Sequence, residues 1–353
     1  MTRKKLILGL ALVAGSVGVV AAFQFGLFGP SDPRERARIQ REALLRQDRK
    51  NLTGKDSSES EVRDALMRLA AVQDSVALSA ALDQVGHPSP AIRGAAAFAL
   101  GRFVDAKALP ALKGLLKDPV VEVRRDAIRA LGSRAGEDRA RELESLRQRK
   151  DLVPIERIAL WESLLRWDRD GKHKSQALTE LLTIARASGS NVEPALRAQA
   201  LGLLATRFRG DGKVSALLKE RAQSEGQMIE RVTALQHLLM VRDPWVLENF
   251  RKLTVDSKVS ELQSVGLQLL SRACPQGLWE ILEIKMTQPS TPLEVRSAAL
   301  SALVSLGGTQ GYETFLRWKS EGRLSEPALA SLASSIEGRL EQTRDRASRC
   351  KGF

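Results

Sequence analysis

The sequence contains few aromatic residues and few runs that would form strands. Aromatic residues make up 4% of the 353 residues, and a single Tyr is present. Strands favour β-branched and aromatic side chains in alternating patterns, and such runs are scarce here. This scarcity argues against sandwiches, barrels and doubly wound sheets. Leu, Ala, Arg and Glu dominate instead, so the composition predicts an all-α protein.

Histidine and cysteine are also rare, which limits the available chemistry. The chain has three His and two Cys, and Cys274 and Cys350 are far apart in sequence. These numbers exclude a disulfide scaffold and most metal sites built from His or Cys. The sequence also lacks His-Glu-x-x-His, Cys-x-x-Cys and Gly-x-Ser-x-Gly motifs. We therefore expect no catalytic site, no metal site and no cofactor.

The excess of positive charge is concentrated near the N-terminus. Residues 1–58 hold eleven Lys or Arg and five Asp or Glu, an excess of six out of the chain's net charge of +13. The remaining residues are close to balanced, whereas a nucleic-acid-binding domain usually concentrates basic residues on one face. Nucleic acid is therefore not the expected partner.

A long apolar segment lies within this basic region. Residues 6–28 are uncharged and mostly apolar. As a helix they would extend about 35 Å, enough to cross a hydrocarbon core of about 30 Å. They predict an N-terminal transmembrane helix within an anchor segment, residues 1–30. The alternative is a signal peptide cleaved at the small residues Val20-Ala21-Ala22.

The charges beside this segment bear on the location of the protein. They predict a single-pass protein of the cytoplasmic membrane with its body outside the cytoplasm. The alternatives are a cytoplasmic body or secretion after cleavage. Residues 31–58 form a basic juxtamembrane segment that is expected either to contact anionic lipid or to keep a helix solvated. Its first basic residues are Arg34, Arg36, Arg38 and Arg41.

The rest of the chain repeats a unit of about 30–33 residues. Ile92-Arg93 recurs as Val123-Arg124, and Gly101 recurs as Gly132, at one offset of 31 residues. Such a period predicts a repeat array, here of about eight or nine units. Further copies begin at Val62-Arg63, Leu196-Arg197 and Val295-Arg296, and divergent copies carry Glu156, Glu230 or Gln263 in place of Arg.

Each unit is predicted to contain two helices. In the clearest unit, apolar residues at helical spacing stand on both sides of Asp118-Pro119, which breaks the helix because a residue before Pro avoids the α region. Gly132 stands where a C-cap glycine is expected. Because neither helix can bury its apolar stripe alone, the pairs are expected to stack into an α-solenoid over residues 59–348, followed by a frayed tail, 349–353.

This pattern resembles the HEAT repeat. Asp118-Pro119, Val123-Arg124 and the following Ala127, Leu131 and Gly132 carry the resemblance, and the short period resembles the HEAT-like repeats of the phycobilin-lyase type. The resemblance implies a curved superhelix whose second helices line a concave, protein-binding side.

It also implies a structural ladder in which an Arg of each repeat joins the turn Asp of a neighbouring repeat. The turn residues are Asp118 and Pro119. The alternative is that the arginines form an anion-binding stripe. The arginines concerned are Arg63, Arg93, Arg124, Arg197 and Arg296.

The array is least regular between Ile155 and Leu196, where the spacing grows to 41 residues and a polar, Gly-containing stretch is inserted. Insertions in repeats often lie on the binding side, and Trp is common in binding hot spots. A solvated loop and core Trp residues are the alternatives. The candidate partner contacts are Trp167, Lys172, His173 and Trp318.

These observations predict a non-enzymatic, membrane-tethered scaffold that presents the concave face of a HEAT-like solenoid to a protein partner. One alternative is a lyase-like or chaperone-like accessory factor that acts on a bound protein. Another is a binder of anionic lipid or another polyanion.

Overall fold

The chain is all-α in the part that the computed structural model describes. This part contains eighteen α-helices and no strand, so the all-α prediction is confirmed. The described residues are 33–54, 56–134, 137–188, 191–273 and 277–345.

The chain consists of two compact units, and each is a stack of helix pairs. Unit 1, residues 1–167, has eight described helices that pair in chain order. They are α1 (Pro33–Thr53), α2 (Glu59–Ala71), α3 (Ser75–Gln84), α4 (Pro90–Leu100), α5 (Ala108–Leu115), α6 (Val121–Ser133), α7 (Glu137–Arg147) and α8 (Pro154–Trp167).

Unit 2, residues 168–353, continues the same pattern with five pairs among its described residues. Its helices are α9 (Lys174–Arg186), α10 (Pro194–Arg207), α11 (Gly212–Gln223), α12 (Met228–Met240), α13 (Pro244–Leu253), α14 (Ser260–Ala273), α15 (Leu278–Thr287), α16 (Leu293–Leu306), α17 (Gly308–Ser320) and α18 (Pro327–Thr343).

Within each unit the second helices of successive pairs form a continuous row. In unit 1, α2 packs on α4, α4 on α6 and α6 on α8, and each also packs on the first helix of its own pair. In unit 2 the row runs through α10, α12, α14, α16 and α18. Burial of apolar stripes between the helices stabilises such a stack. In α6 the predicted stripe is buried, with Val123, Ala127, Ile128 and Leu131 each no more than 1% exposed.

The stack of unit 1 begins before residue 59. Helix α1 packs on α2 and α3. Its Asp48 is fully buried and accepts hydrogen bonds of 2.9 and 2.6 Å from Nε and Nη2 of Arg68 in α2. The segment that was expected to lie beside a membrane therefore provides the first helix of the first pair.

Glycine permits close contact between the second helices of unit 1. A Cβ placed on Gly132 would lie 2.3 Å from Oγ of Ser163 in α8, and one on Gly101 would lie 2.7 Å from the carbonyl oxygen of Ala130 in α6. Helix α6 continues through Gly132 to Ser133, and Gly101 has an ordinary φ of −66°. The repeated glycine is therefore needed for close helix packing and not as a left-handed C-cap, as the sequence had suggested.

Several connections between one pair and the next share a turn that the sequence did not reveal. A residue with positive φ is followed by an Asp that accepts a hydrogen bond from the first turn of the next helix. The positive-φ residues are Gln73, Gly210 and Arg242, and the capping residues that follow them are Asp74, Asp211 and Asp243.

The predicted membrane segment requires a correction. In the described part of the chain, no helix combines the length and the apolar character needed to cross a bilayer. Residues 6–28, with the rest of the expected anchor, and the expected tail 349–353 lie outside the described residues. We therefore correct the predicted fold to a helical-repeat stack without an assigned transmembrane helix, and we no longer assign a single-pass location in the cytoplasmic membrane.

Replacement of Gly132 by Ala should destabilise unit 1, because the new Cβ would overlap Ser163 and push α6 away from α8. Overpacking of this kind costs about 1–3 kcal/mol, which urea unfolding would measure. Gly114→Ala in α5 is the matched control, because nothing lies within 4 Å of its added Cβ and Ala is the better helix former by about 1 kcal/mol. An equal loss of stability in both variants would contradict the close-packing role.

Candidate functional site

Arg93 joins its own turn to the turn of the next repeat. Its Nε and Nη2 donate to the carboxylate of Asp118 at 2.7 and 2.9 Å, and Nη1 donates to the carbonyls of His87 and Pro88 at 2.8 and 2.9 Å. The hydrogen bond from Arg93 lowers the pKa of Asp118, although burial opposes it. Asp118 also accepts the backbone N–H of Val120 at 2.9 Å. This network fixes two consecutive turns to each other.

Arg124 continues the ladder with a different acid. Its Nε donates to Oε1 of Glu156 at 2.6 Å, and its Nη1 donates to the carbonyls of Asp118 and Pro119 at 2.9 and 3.2 Å. Glu156 is 2% exposed and occupies the repeat position that Arg holds in the preceding units. Arg and Glu at equivalent positions of adjacent repeats therefore form a buried ion pair.

Unit 2 contains the same kind of pair. Arg197 donates to Oε1 of Glu230 at 2.8 Å from Nε, and Glu230 again stands at the Arg position of its repeat. Arg296 donates to Glu326, the residue before α18, at 2.6 Å. These guanidinium groups are held by carboxylates, so an external anion would have to compete with those partners.

Arg63 differs from the other four arginines. It is exposed, and its Nε and Nη2 donate to Asp64, the next residue, at 2.9 and 2.8 Å. The first bridge of unit 1 is made by Arg68 and Asp48 instead. An exposed ion pair contributes little to stability, so Arg63 does not have the bracing geometry of Arg93.

A cavity of about 380 Å³ lies on the face formed by the second helices of unit 1. Met67 of α2 and Phe98 of α4 line it and are 42% and 38% exposed. Ala95 and Ala130 also line it and are almost fully buried, so small residues form its base. We call this cavity the unit 1 groove. Apolar side chains exposed around a concavity are typical of binding sites.

Each charged residue that lines the unit 1 groove has an oppositely charged partner. The three residues are Arg63 of α2, which pairs with Asp64, and Asp126 and Arg129 of α6. Oδ1 of Asp126 accepts a hydrogen bond of 2.9 Å from Arg125, and Nε of Arg129 donates to Glu162 of α8 at 3.2 Å. The groove thus combines apolar surface with paired charges, which suits an apolar side chain with polar neighbours better than a polyanion.

Trp167, the last residue of α8, is half-exposed. Its Nε1 donates to the carbonyl of Gly132 at 2.7 Å, and the guanidinium of Arg139 lies 4.1 Å from the centre of its ring. With 44% of its surface exposed, Trp167 stays partly accessible while it also ties α8 to α6 and α7. It stays a candidate contact.

The other predicted contacts have different environments. Lys172 is exposed in the loop before α9, and His173 precedes α9, where its backbone N–H donates to Asp168 at 3.0 Å. Trp318 is fully buried and donates from Nε1 to Glu283 at 2.9 Å. A partner cannot reach Trp318 in this structure, so we withdraw it as a candidate contact.

Glu283 of α15 is a charge centre that the sequence did not indicate. It accepts hydrogen bonds from Arg317 at 3.1 and 2.7 Å, from Trp318 at 2.9 Å and from Arg323 at 2.5 Å. Burial raises the pKa of Glu283, but the hydrogen bonds from these three side chains outweigh it and lower the pKa to about 2. Glu283 therefore holds together α15, α17 and the turn that follows α17.

The basic residues of the predicted juxtamembrane segment lie on the surface of α1. All four are exposed, and Arg38 forms an ion pair of 3.8 Å with Glu42 one helical turn later. They are Arg34, Arg36, Arg38 and Arg41.

The groove residues were not predicted from the sequence, although their spacing along the chain could have revealed them. Met67, Phe98 and Arg129 are each separated by 31 residues and so occupy one repeat position. A large apolar residue at that position in two units lies outside the buried stripe and is thereby exposed on the row of second helices.

The sequence of unit 1 matches a known repeat family. The profile for HEAT repeats matches residues 75–165, which confirms the expected resemblance over helices α3 to α8. No curated protein matches the sequence.

Solved structures with a similar helical arrangement were also found. The complex of CpcE and CpcF of phycocyanin lyase from Nostoc sp. PCC7120 has 18% identity and a TM-score of 0.39, over 68% of this chain and 92% of that chain. Human deoxyhypusine hydroxylase in complex with glycerol has 14% identity and a TM-score of 0.34, over 87% and 99%. The Kap95:Nup1 complex has 14% identity and a TM-score of 0.43, over 92% and 48%.

Replacement of Arg93 by Leu should destabilise unit 1 by about 3 kcal/mol, because removal of one partner of a buried pair leaves the other charge uncompensated. Urea unfolding at pH 7 would measure the loss. Arg63→Leu is the control, since its ion pair is exposed, and it should change stability by less than about 1 kcal/mol. Similar losses in the two variants would show that Arg93 is not a bridge between repeats.

Acid should remove the contribution of Glu283 to stability. Its folded-state pKa of about 2 lies below the ordinary value of 4.5, so its stabilisation is present above pH 4.5 and is lost as the pH falls towards 2. Glu283→Gln should therefore be less stable than the natural protein at pH 7, by about 2 kcal/mol, and the difference should shrink between pH 4.5 and 2.5. A difference that stays constant over this range in urea unfolding would refute the assignment.

Proposed function

We propose that this chain is a protein-binding helical-repeat module, and that the unit 1 groove holds an apolar side chain of its partner. The observation that carries the proposal is the exposure of Met67 and Phe98 beside a base of small residues. Burial of a large apolar side chain contributes about 1.5–3 kcal/mol, so both residues would gain from an occupant.

The size of the groove supports this occupant. A cavity of about 150 Å³ can hold a benzene ring, and the groove has a volume of about 380 Å³. One large side chain, such as Leu or Phe, fits with room for part of its backbone. Partner segments with a single apolar anchor are a common mode of recognition by helical surfaces.

The polar border of the groove supports a polypeptide partner. Only Oδ1 of Asp126 is hydrogen-bonded to Arg125, and Oδ2 lies 2.8 Å from the position of a Cβ on Gly94. This oxygen faces the α4 backbone beside the groove, where it could accept an N–H from a bound segment. Arg129 and Glu162, at 3.2 Å, are both partly exposed and could exchange partners with side chains that flank the anchor.

A photo-crosslinking amino acid at position 98 of the full chain, used in the native cells, should give one discrete protein adduct. The same group at position 104 is the control, because Val104 is 77% exposed but does not line the groove. The adduct should map to a segment that contains a large apolar residue, and Met67→Glu should abolish it.

A synthetic peptide of that segment then gives a quantitative test. Phe98→Ala should weaken its binding about tenfold, which corresponds to about 1.4 kcal/mol, whereas Leu316→Ala, a comparably exposed apolar residue of unit 2, should not change it. Equal adducts at positions 98 and 104, or equal affinities of the two Ala variants, would refute the proposal.

A further inference from the structure

Unit 2 contains a second cavity of about 380 Å³, between the ends of α10 and α12 and the beginnings of α11 and α13. Its lining is mainly apolar and includes Phe208, Val214, Leu218 and Leu238, all of which are buried. We call it the unit 2 cavity. Its volume lies in the range of small-molecule sites.

Two acidic residues that line the cavity already cap helices. Asp211 caps α11 by accepting the N–H groups of Lys213 and Val214 at 2.9 and 3.2 Å. Asp243 caps α13 by accepting the N–H of Trp245 at 3.0 Å, and Lys219 lies 3.3 Å from it. The first turns of both helices are therefore satisfied from within the chain, and their N-termini do not offer an anion site.

Two basic residues that line the cavity are available to a ligand. Arg209 and Arg242 line the cavity and are exposed, and neither guanidinium has a hydrogen bond or an ion pair within the described part of the chain. Elsewhere in the same unit, arginines at the repeat junctions, such as Arg197, are held by carboxylates. His237 also lines the cavity, and burial followed by the charge of Arg209 lowers its pKa, so its imidazole is mainly neutral at pH 7.

The backbone at Arg242 is unfavourable for an arginine. Its φ is +52°, in the region that glycine adopts without cost, and Gly210 stands at the equivalent position of the preceding pair. Gln73 has the same conformation in unit 1, but its side chain donates to the carbonyl of Arg102 at 3.4 Å. Arg242 makes no such side-chain contact, but its positive φ lets the N–H groups of Arg242 and Asp243 donate to the carbonyls of Leu239 and Leu238, at 3.0 Å each.

We propose that the unit 2 cavity binds a short alkyl carboxylate, whose chain lies among Phe208, Leu218 and Leu238 while its carboxylate bridges Arg209 and Arg242. The apolar lining selects the chain. The two uncommitted guanidinium groups select a negative head group, and a carboxylate matches the fork of donors that each presents. A negatively charged head group would also explain why position 242 holds arginine, although glycine adopts a positive φ at lower cost.

Octanoate is the probe, with n-octanol and n-octylamine as neutral and cationic equivalents of the same chain length. The full chain should bind octanoate at least tenfold more tightly than either equivalent in calorimetric titration. Methyl resonances of Val214 and Leu218 should shift on addition of octanoate. Equal binding of octanol would show a merely apolar cavity and would overturn the proposal, as would unchanged methyl resonances.

Arg242→Gly separates ligand binding from folding. Because glycine favours a positive φ, this variant should unfold at the same or a higher urea concentration, yet bind octanoate about tenfold more weakly. Arg207→Ala removes an exposed arginine of α10 that does not line the cavity and should leave the affinity unchanged. Equal affinities of Arg242→Gly and the natural protein, or equal losses in both variants, would overturn the assignment.

Discussion

Consecutive second helices of unit 1 approach each other so closely that one methyl group added at Gly132 would lie 2.3 Å from the hydroxyl oxygen of Ser163. This contact determines much of the rest of the unit. Close approach requires small residues where the helices meet, and small residues contribute little apolar side-chain volume to the core. The apolar volume of each repeat therefore comes from the stripe below the contact, as in α6, where Ile128 and Leu131 are no more than 1% exposed. The small residues on the outer side, Ala95 and Ala130, become the base of the unit 1 groove.

Charge is arranged at the turns so that successive repeats depend on each other. Arg93 binds an aspartate in the turn of the next repeat, whereas Arg124 and Arg197 bind a glutamate that replaces arginine in the next repeat. A buried arginine needs an acid within reach, and a buried glutamate needs a base. An Arg-to-Glu change along the array is therefore accommodated where it completes a pair, as at Glu156 and Glu230.

The sequence was sufficient for the helix pairs because their information is local. All three signals act within one unit or between adjacent units. They are the 31-residue offset, the Pro that prevents the helix from continuing after α5, and the apolar stripes at helical spacing. The roles of Gly132 and Trp318 depend on contacts between elements. A C-cap and a close helix contact both favour glycine, so the identity of the residue alone does not distinguish the two roles. Trp318 stands between charged Arg317 and Lys319, yet successive residues of a helix point about 100° apart, and the tryptophan faces the core.

The same argument explains why the groove was harder to predict than the stack. In a repeat protein most arginines and acids are held in pairs that brace neighbouring units, so the presence of a charged residue says little about binding. The informative residues are the ones without a partner in their own unit. Met67 and Phe98 leave apolar area uncovered, and Arg242 lines the unit 2 cavity without a carboxylate partner in the described structure. These three side chains are therefore the basis of the two binding sites that we propose.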